Sequence, residues 1–181
     1  MSAGFVIAPL AAAHDRQAFS CGAEPLDRYL QTQASQDIRR HIANCFVAWR
    51  GDSNVIAGYY TLSAASIPLS DLAEAQARKL PRYPVLPAAL IGRLAIDRRY
   101  QGQGLGAALL FDAIARAIRA DAAVFALLVD AKDEAAARFY RHHGFAAFAA
   151  SPARMFLPVA TARQVGCERR AAGFSLKLKL R

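Results

Sequence analysis

The chain has 181 residues, 55% of them hydrophobic, and a formal net charge of +9. This length favours one domain with a sizeable core, and the composition excludes a disordered chain. The excess of positive charge suits an acidic partner, nucleic acid first, although solubility alone or attraction to an anionic cofactor would explain it equally well.

The three cysteines, Cys21, Cys45 and Cys167, are scattered along the chain. Their spacing matches no metal-binding motif and no disulfide framework, which favours a reducing cytosol and predicts no metal site. The apolar stretch 5–13 is too short to span a bilayer, and no basic residue precedes it. We therefore expect a cytoplasmic protein that does not associate with membranes.

Local sequence patterns alternate between strands and helices. The stretches with a strand pattern are 5–8, 43–49, 55–67, 90–96, 124–129, 145–149 and 155–159. The stretches with helical spacing are 26–40, 107–120 and 133–143. Turn residues at 51–54 predict that the second and third strands form a hairpin. A short helix is expected between 68 and 80 with Ser70 as its N-cap, followed by an extended connection through Pro81, Pro84 and Pro87.

Glycines occupy every second position after the 90–96 strand, at Gly102, Gly104 and Gly106. Glycine tolerates positive φ and lets a ligand approach the main chain. The N–H groups of the following helix point into such a loop, with the positive end of the helix dipole behind them. Strand, loop and helix together predict an anion site, most often one for phosphate groups.

This loop lacks the Gly-Lys-Ser/Thr of a P-loop and the glycine spacing of the dinucleotide fingerprint. It resembles instead the Q/R-x-x-G-x-G/A loop of GCN5-related N-acetyltransferases, the GNAT family, which holds the pyrophosphate of acetyl-CoA. The alternative for the loop alone is a glycine-rich turn without a ligand. The resemblance implies that the pyrophosphate-binding residues are Gln101, Gly102, Gln103, Gly104, Leu105 and Gly106.

The resemblance also implies an α/β GNAT fold, with a mixed, twisted central sheet flanked by helices. In that fold the strand before the loop splays away from its neighbour. Its freed main-chain groups, here those of Leu94, Ala95 and Ile96, bind the pantetheine arm and polarise the thioester carbonyl. The domain is expected to cover 1–161. The basic tail at 162–181 is either an additional edge strand or disordered, and the sequence leaves both open.

Tyr140 is the candidate catalytic residue. The segment 133–145 resembles the GNAT element N-x-x-A-x-x-x-Y…G-F, in which a helix tyrosine reaches the thioester sulfur. A phenol, with a reference pKa of about 10, can donate a proton to a thiolate. Asp133 stands at the asparagine position and is the expected cofactor contact there. The alternative is that Tyr140 only fills the core, for which its neighbour Phe139 is better suited because it has no hydroxyl to satisfy.

No motif places any of the four histidines as a general base. A lysine amine, with a pKa of about 10.4, would need help to lose its proton, whereas an α-amino group, at about 7.7–8.0, needs little. Esterification of the carboxyl group should lower that pKa further. An aminoacyl-tRNA joins such an amine to a polyanion that a basic protein would hold. Chemistry and charge therefore favour this substrate class.

A closer resemblance, to the GNAT toxins of bacterial toxin–antitoxin modules, agrees with that substrate. Those toxins N-acetylate the amino acid on charged tRNA and stop translation, form homodimers, and are neutralised by a ribbon-helix-helix antitoxin. The resemblance implies the same activity and partners here. The segments that carry it are 19–22, 26–30, 58–63, 80–84, 92–97, 128–132 and 155–158.

The candidate tRNA contacts are basic residues, namely Arg39, Arg40, Arg78, Lys79 and Arg93. Two other classes of function remain open at this point. One is an acetyltransferase acting on a small amine or a protein N-terminus. The other is a non-catalytic module that binds nucleic acid or senses CoA.

Overall fold

The computed structural model describes residues 4–164 and 179–180. The chain forms two compact units. Unit 1 consists of Met1–Ser63, Gly92–Ala115 and Ser175–Arg181, and unit 2 consists of Ala64–Ile91 and Arg116–Phe174. Among the described residues, no helix is long and apolar enough to cross a membrane.

The elements in chain order are β1 (Phe5–Pro9), α1 (Glu24–Arg28), a π-helical turn (Tyr29–Gln33), α2 (Ala34–Arg39), β2 (Asn44–Arg50), β3 (Ile56–Pro68), a 3₁₀ turn (Leu69–Asp71), α3 (Glu74–Ala77), β4 (Val85–Ile96), a second 3₁₀ turn (Arg98–Tyr100), α4 (Leu105–Arg119), β5 (Ala126–Asp130), α5 (Glu134–His142), β6 (Ala146–Ala147), β7 (Arg154–Pro158) and β8 (Lys179–Leu180). Residues 159–164 are also helical. The strands form a mixed sheet, and β3, β4 and α4 contribute residues to both units.

The strand order within unit 1 is β4-β3-β2-β1-β8. Strand β2 runs antiparallel to both β1 and β3, which confirms the predicted hairpin. Strand β8 pairs in parallel with β1, so residues 179–180 of the tail form an additional edge strand. The remainder of the predicted tail beyond 164, at 165–178 and 181, lies outside the described residues.

The core of unit 1 forms where one helical run packs on the sheet. Tyr29, Leu30 and Ala34 lie in one cluster with Val47 of β2 and Tyr59 of β3. Each of these side chains is buried, and burial of a large apolar side chain stabilises the fold by about 1.5–3 kcal/mol. The run follows the predicted helix at 26–40 but contains a π turn, in which the Ala34 N–H donates to the Tyr29 carbonyl.

The strand order within unit 2 is β6-β7-β5-β4-β3. Residues 88–91 of β4 lie parallel to and opposite residues 126–129 of β5, and β5 runs antiparallel to β7. Parallel strands need both faces covered, which accounts for the unbroken apolar sequence of β5. Its inward residues pack with aromatic rings in a buried cluster that includes Leu86, Ala126, Leu128, Phe148 and Phe156.

Two local predictions in unit 2 were wrong. Ser70 is not an N-cap: it lies inside the first 3₁₀ turn, extended backbone at Leu72 ends that turn, and α3 begins at Glu74 after Ala73. The fourth strand starts at Val85 rather than at residue 90, so Pro87 lies within the strand instead of in a connection. Proline lacks only the donor, and the Pro87 carbonyl still accepts a hydrogen bond from the Phe125 N–H at 2.8 Å.

Candidate functional site

The loop between β4 and α4 has the backbone geometry that its glycines predicted. Gly102 and Gly104 have φ angles of +73° and +80°, in the left-handed region that favours glycine. A Cβ at either position would meet no atom within 4 Å, so the main chain there faces open space. The Ala108 N–H donates to the Gly104 carbonyl as α4 begins, and the N–H groups just before it form the helix N-terminus. This arrangement can bind an anion.

Asp97, at the end of β4, fixes the start of this loop. Its carboxylate is buried and accepts four hydrogen bonds, three from Arg99 (main-chain N–H, Nε and Nη2, at 3.0, 2.8 and 2.9 Å) and one from the Ser20 N–H at 3.0 Å. Burial by itself raises the pKa of the Asp97 carboxyl. The hydrogen bonds from Arg99 and Ser20 outweigh burial and hold that pKa below its usual value.

The two glutamines of the loop also support it. The Gln101 side-chain amide donates to the carbonyls of Cys21 and Ile96, both at 2.9 Å, and the Gln103 amide donates to the Arg99 carbonyl at 3.1 Å. These bonds tie the loop to β4 and to the segment around Cys21. A ligand contact from positions 101 and 103 therefore falls mainly to the main chain.

Strand β4 extends beyond the part that pairs with β5. The register with β5 covers residues 88–91 of β4 and nearly the whole of β5, and β4 continues to Ile96. In unit 1 the end of β4 approaches β3 closely at Gly58. A Cβ there would lie 2.8 Å from Ile96 Cδ1 and 3.1 Å from the Ala95 carbonyl oxygen, so any larger residue would require both neighbours to shift.

Tyr140 lies on α5 in unit 2 and is 8% exposed. The rings of Phe139 and Phe145 flank it, with centroids 5.3 and 5.5 Å away. Burial raises the pKa of Tyr140 to about 12, so the phenol stays protonated at neutral pH. Within the part of the chain that the structure describes, its hydroxyl shares no hydrogen bond. The ring packs in the core, while the hydroxyl has no structural partner there.

Asp133 caps α5. Its Oδ1 accepts a hydrogen bond from the Ala136 N–H at 2.8 Å, and Gly144, with φ at +92°, follows the other end of the helix as predicted. Aspartate and asparagine are equally good N-caps, which explains how Asp133 can stand where the GNAT element has asparagine.

The predicted basic residues divide between the units. In unit 1, Arg39 and Arg40 are exposed at the end of α2, and the Arg93 guanidinium lies over the Tyr29 ring, 3.6 Å from its centroid. In unit 2, Arg78 and Lys79 are exposed after α3, and Arg78 forms an ion pair with Glu74. Across the described ranges, no three His, Cys, Asp or Glu residues could hold a metal ion.

Sequence reasoning missed two features of unit 1. It did not single out Asp97, although an acidic residue between a strand and a glycine loop was visible. The sequence predicted Arg93 only as one of several basic residues. Its contact with Tyr29 was not predicted, because the two residues are far apart in the sequence.

Residues 10–145 match the model of the acetyltransferase (GNAT) family. The chain therefore belongs to the GNAT family, and the predicted fold class is confirmed. Two relatives bear the names of toxins, as the resemblance implied.

The chain is 37% identical over 153 residues to the tRNA-acetylating toxin of Mycobacterium tuberculosis (strain ATCC 25618 / H37Rv), an alignment that covers 83% of this chain and 90% of that toxin. It is 34% identical over 161 residues to the probable toxin TacT of Sinorhizobium fredii (strain NBRC 101917 / NGR234), covering 84% and 89%.

Solved structures of the toxin AtaT are among those that share the fold. AtaT complexed with acetyl-methionyl-tRNAfMet superposes with a TM-score of 0.83 at 30% identity, covering 90% of this chain and 99% of AtaT. A tyrosine-to-phenylalanine mutant of the toxin AtaT, bound to the C-terminus of the antitoxin AtaR and to acetyl-CoA, gives a TM-score of 0.76 at 28% identity, covering 90% and 98%.

Proposed function

We propose that this protein is a toxin that transfers the acetyl group of acetyl-CoA to the α-amino group of aminoacyl-tRNA and so blocks translation. The observation that carries the proposal is its likeness, over nearly the whole of both chains, to AtaT captured with an acetylated aminoacyl-tRNA. The glycine loop and the net charge of +9 support it independently, since they suit an anionic cofactor and a polyanionic substrate.

Acetyl-CoA is the acetyl donor, and it supplies an activated thioester carbonyl. The main chain of residues 101–106 and the N-terminus of α4 hold its pyrophosphate. The open space at Gly102 and Gly104 supports this assignment, because a phosphate must approach the main chain closely. The main chain of Leu94, Ala95 and Ile96 holds the pantetheine arm, while Asp133 contributes to the cofactor site as the cap of α5.

Tyr140 is the general acid. Its raised pKa, of about 12, means that a proton is present at every physiological pH. Its hydroxyl donates no hydrogen bond to a described residue, so the proton is available for a leaving thiolate. A thiolate is a far stronger base than a thioester sulfur, so the phenol donates as the carbon–sulfur bond breaks.

The attacking amine needs no strong base. The α-amino group of an aminoacyl ester has a pKa below the 7.7–8.0 typical of α-amino groups, so a large fraction is neutral at physiological pH. Solvent can accept the proton that remains after attack. This chemistry accounts for the lack of a motif-placed histidine, and it favours an α-amine over a lysine side chain.

We further propose the protein's partners and location. The exposed Arg39, Arg40, Arg78 and Lys79, together with Arg93, contact tRNA phosphates. A ribbon-helix-helix antitoxin neutralises the toxin, which acts as a homodimer in the cytoplasm. The GNAT domain spans 1–161, and the sequence from residue 162 onward is its basic C-terminal extension.

The test is incubation of the purified chain with total charged tRNA and isotope-labelled acetyl-CoA, followed by mass spectrometry of the released amino acids. The expected product is one or more N-acetyl amino acids in amounts matching the acetyl-CoA consumed. The same reaction is run with a polyamine mixture and with peptides that have free N-termini. Acetylation confined to those amines would replace the proposal with a small-amine or N-terminal acetyltransferase, and an absence of any product would favour a non-catalytic module.

A further inference from the structure

Unit 1 contains a pocket of about 260 Å³ beside the helical run of α1 and the π turn. This volume is close to the lower end of the roughly 300–1,000 Å³ range of small-molecule sites, so it suits one nucleotide-sized group. The residues that line it are Glu24, Pro25, Arg28, Tyr29, Thr32, Gln33 and Arg93. Two arginines face one glutamate, so the lining has a net positive charge.

Arg93 is the unusual residue of this pocket. Its guanidinium carbon lies over the Tyr29 ring, 3.6 Å from the centroid. A guanidinium that contacts an aromatic face can still donate hydrogen bonds from its N–H groups. No described residue forms an ion pair or hydrogen bond with Arg93. Both nearby acids are already engaged, because Glu24 pairs with Arg28 and Asp37 accepts a hydrogen bond from the Tyr29 hydroxyl at 2.9 Å.

Tyr29 is a rigid support for that guanidinium. It is buried, it starts the π turn, and its ring stacks on Tyr59 with centroids 6.3 Å apart. Burial and the hydrogen bond to Asp37 raise the pKa of Tyr29, so its ring stays neutral. Single π turns inside α-helices are rare and occur frequently at functional sites. A half-buried cation that is held in place without a protein anion is suited to an external anion.

Arg93 directly precedes Leu94, the first residue proposed to hold the pantetheine arm. Adjacent residues along a strand are about 3.3 Å apart, so the main chain of Arg93 adjoins the segment proposed to hold the arm and its thioester carbonyl. The acceptor amine must reach that same carbonyl. In an aminoacyl-tRNA, the anion nearest the amine is the phosphodiester that joins the last two nucleotides.

We propose that this pocket is the subsite for the 3′ end of the aminoacyl-tRNA, with Arg93 donating to the terminal phosphodiester. This inference rests on the proposed function and adds which group of the tRNA the protein recognises, namely the terminal phosphodiester. Unpaired nucleotides are commonly held by an arginine or aromatic plane together with polar side chains, and Thr32 and Gln33 at the pocket supply such groups. Arg93 acts in positioning the acceptor and not in the proton transfers.

The test is a thermodynamic cycle that combines a substitution in the enzyme with a chemical change in the RNA. Two RNA minihelices ending in CCA are prepared, one natural and one with a neutral methylphosphonate in place of the terminal phosphodiester. Each is used deacylated for fluorescence anisotropy and aminoacylated for kinetics. The enzymes are wild type, Arg93→Met, Arg93→Lys and the control Arg119→Met, which removes a charge at an exposed position outside the pocket.

The methylphosphonate should weaken binding to wild type and to Arg119→Met roughly 10- to 100-fold. The methylphosphonate should not weaken binding to Arg93→Met any further. The activity that Arg93→Met loses should appear as a higher KM more than as a lower kcat. Arg93→Met should also flatten the salt dependence of natural minihelix binding by about 0.7 log units. Arg93→Lys should recover part of the affinity, because it restores the charge without the planar donor pair.

The subsite is overturned if the methylphosphonate weakens Arg93→Met as much as wild type, or weakens neither enzyme. These binding measurements do not depend on acetyl transfer, so they test the subsite even if the wild-type enzyme acetylates no minihelix. A wild-type enzyme that acetylates no minihelix would contradict the proposed function instead. Circular dichroism and acetyl-CoA calorimetry of each variant establish that the fold and cofactor site are intact.

Discussion

The carboxylate of Asp97 accepts two hydrogen bonds from the side chain of Arg99, one from Nε at 2.8 Å and one from Nη2 at 2.9 Å. The same carboxylate also accepts a hydrogen bond from the Ser20 N–H, and the Ser20 carbonyl accepts one from the Arg98 N–H at 2.9 Å. These bonds fasten the entrance of the glycine loop to a segment that is distant in the sequence. The loop is therefore held in shape before any cofactor arrives.

Replacing Asp97 by asparagine should destabilise the protein by about 1–3 kcal/mol, because a buried carboxylate that accepts charged hydrogen bonds is lost. Acetyl-CoA should also bind more weakly, because the loop is less well held. Urea unfolding and calorimetry at pH 7 measure the two effects. Asp52→Asn is the control, since its pair with Arg50 at 3.5 Å is exposed and worth little.

The stability difference between wild type and Asp97→Asn should depend on pH. The folded-state pKa of Asp97 lies below its ordinary value of 3.8, so its contribution is present above that value and is lost as pH falls through the folded pKa. The two urea curves should therefore approach each other below about pH 4. A difference that grows on acidification would contradict the assigned role of the carboxylate.

Replacing Gly104 by aspartate should abolish detectable acetyl-CoA binding, because like charges would meet where the pyrophosphate lies. We expect affinity to fall more than about 100-fold. Gly104→Ala separates strain from charge: a side chain at φ of +80° costs about 1 kcal/mol or more in stability, but affinity should largely remain. Gly51→Asp, in open space in the β2–β3 turn, should bind normally. Unchanged binding by Gly104→Asp would move the cofactor site elsewhere.

Much of this architecture is readable from local sequence. Alternation and turn residues predicted the β2–β3 hairpin, and the glycine spacing predicted the positive φ angles of Gly102 and Gly104, because both depend on neighbours in the chain; Gly106 lies in α4 and has no positive φ. The Arg93–Tyr29 stack and the Ser20–Asp97 hydrogen bond join residues that only the folded sheet brings together. The π turn was not predicted, because a helical pattern of apolar residues does not show where one i→i+5 hydrogen bond replaces the usual i→i+4 bond.

Capping was the least predictable local feature. Ser70 has a good N-cap side chain, but extended backbone at Leu72 ends its turn before a helix can form. Ala73, which has no capping side chain, precedes α3 instead. Tertiary packing of the short segment between β3 and β4 therefore overrides the side-chain preference.

The double variant Arg78→Ala/Lys79→Ala should test the tRNA surface in unit 2. Each lost phosphate contact should flatten the dependence of log affinity on log salt by about 0.7–0.9 units. The fold should be little affected, because the Arg78–Glu74 pair is exposed at both ends. Filter binding across a salt series measures the slope, and Arg39→Ala/Arg40→Ala gives the equivalent test at α2. A pair whose removal leaves the slope unchanged is excluded as a contact.

Tyr140→Phe should fold and bind acetyl-CoA normally but transfer acetyl at least roughly 100-fold more slowly, because the leaving thiolate loses its acid. Expression of the variant should no longer arrest growth. Tyr83→Phe, which removes a hydroxyl from an exposed tyrosine, is the matched control. Near-normal turnover by Tyr140→Phe would assign the residue to the core and leave catalysis to positioning and main-chain donors.

The pH–rate profile should reflect the same assignment. The rate should rise as the substrate amine loses its proton, near or below pH 8. It should then stay level well into the alkaline range, since a phenol with a pKa of about 12 remains protonated there. A decline that begins near pH 10 would indicate that the acid is a group with an unshifted pKa.

The most direct measurement of the central claim follows the acetyl group after transfer. One purified aminoacyl-tRNA is incubated with the enzyme and radiolabelled acetyl-CoA, and the ester to the tRNA is then hydrolysed in mild alkali. The label should leave the RNA completely and appear as the N-acetyl amino acid. The same tRNA charged with the corresponding α-hydroxy acid, which has no amine, should take up none. Label that stays on the RNA, or equal labelling of the hydroxy-acid analogue, would contradict transfer to the α-amino group.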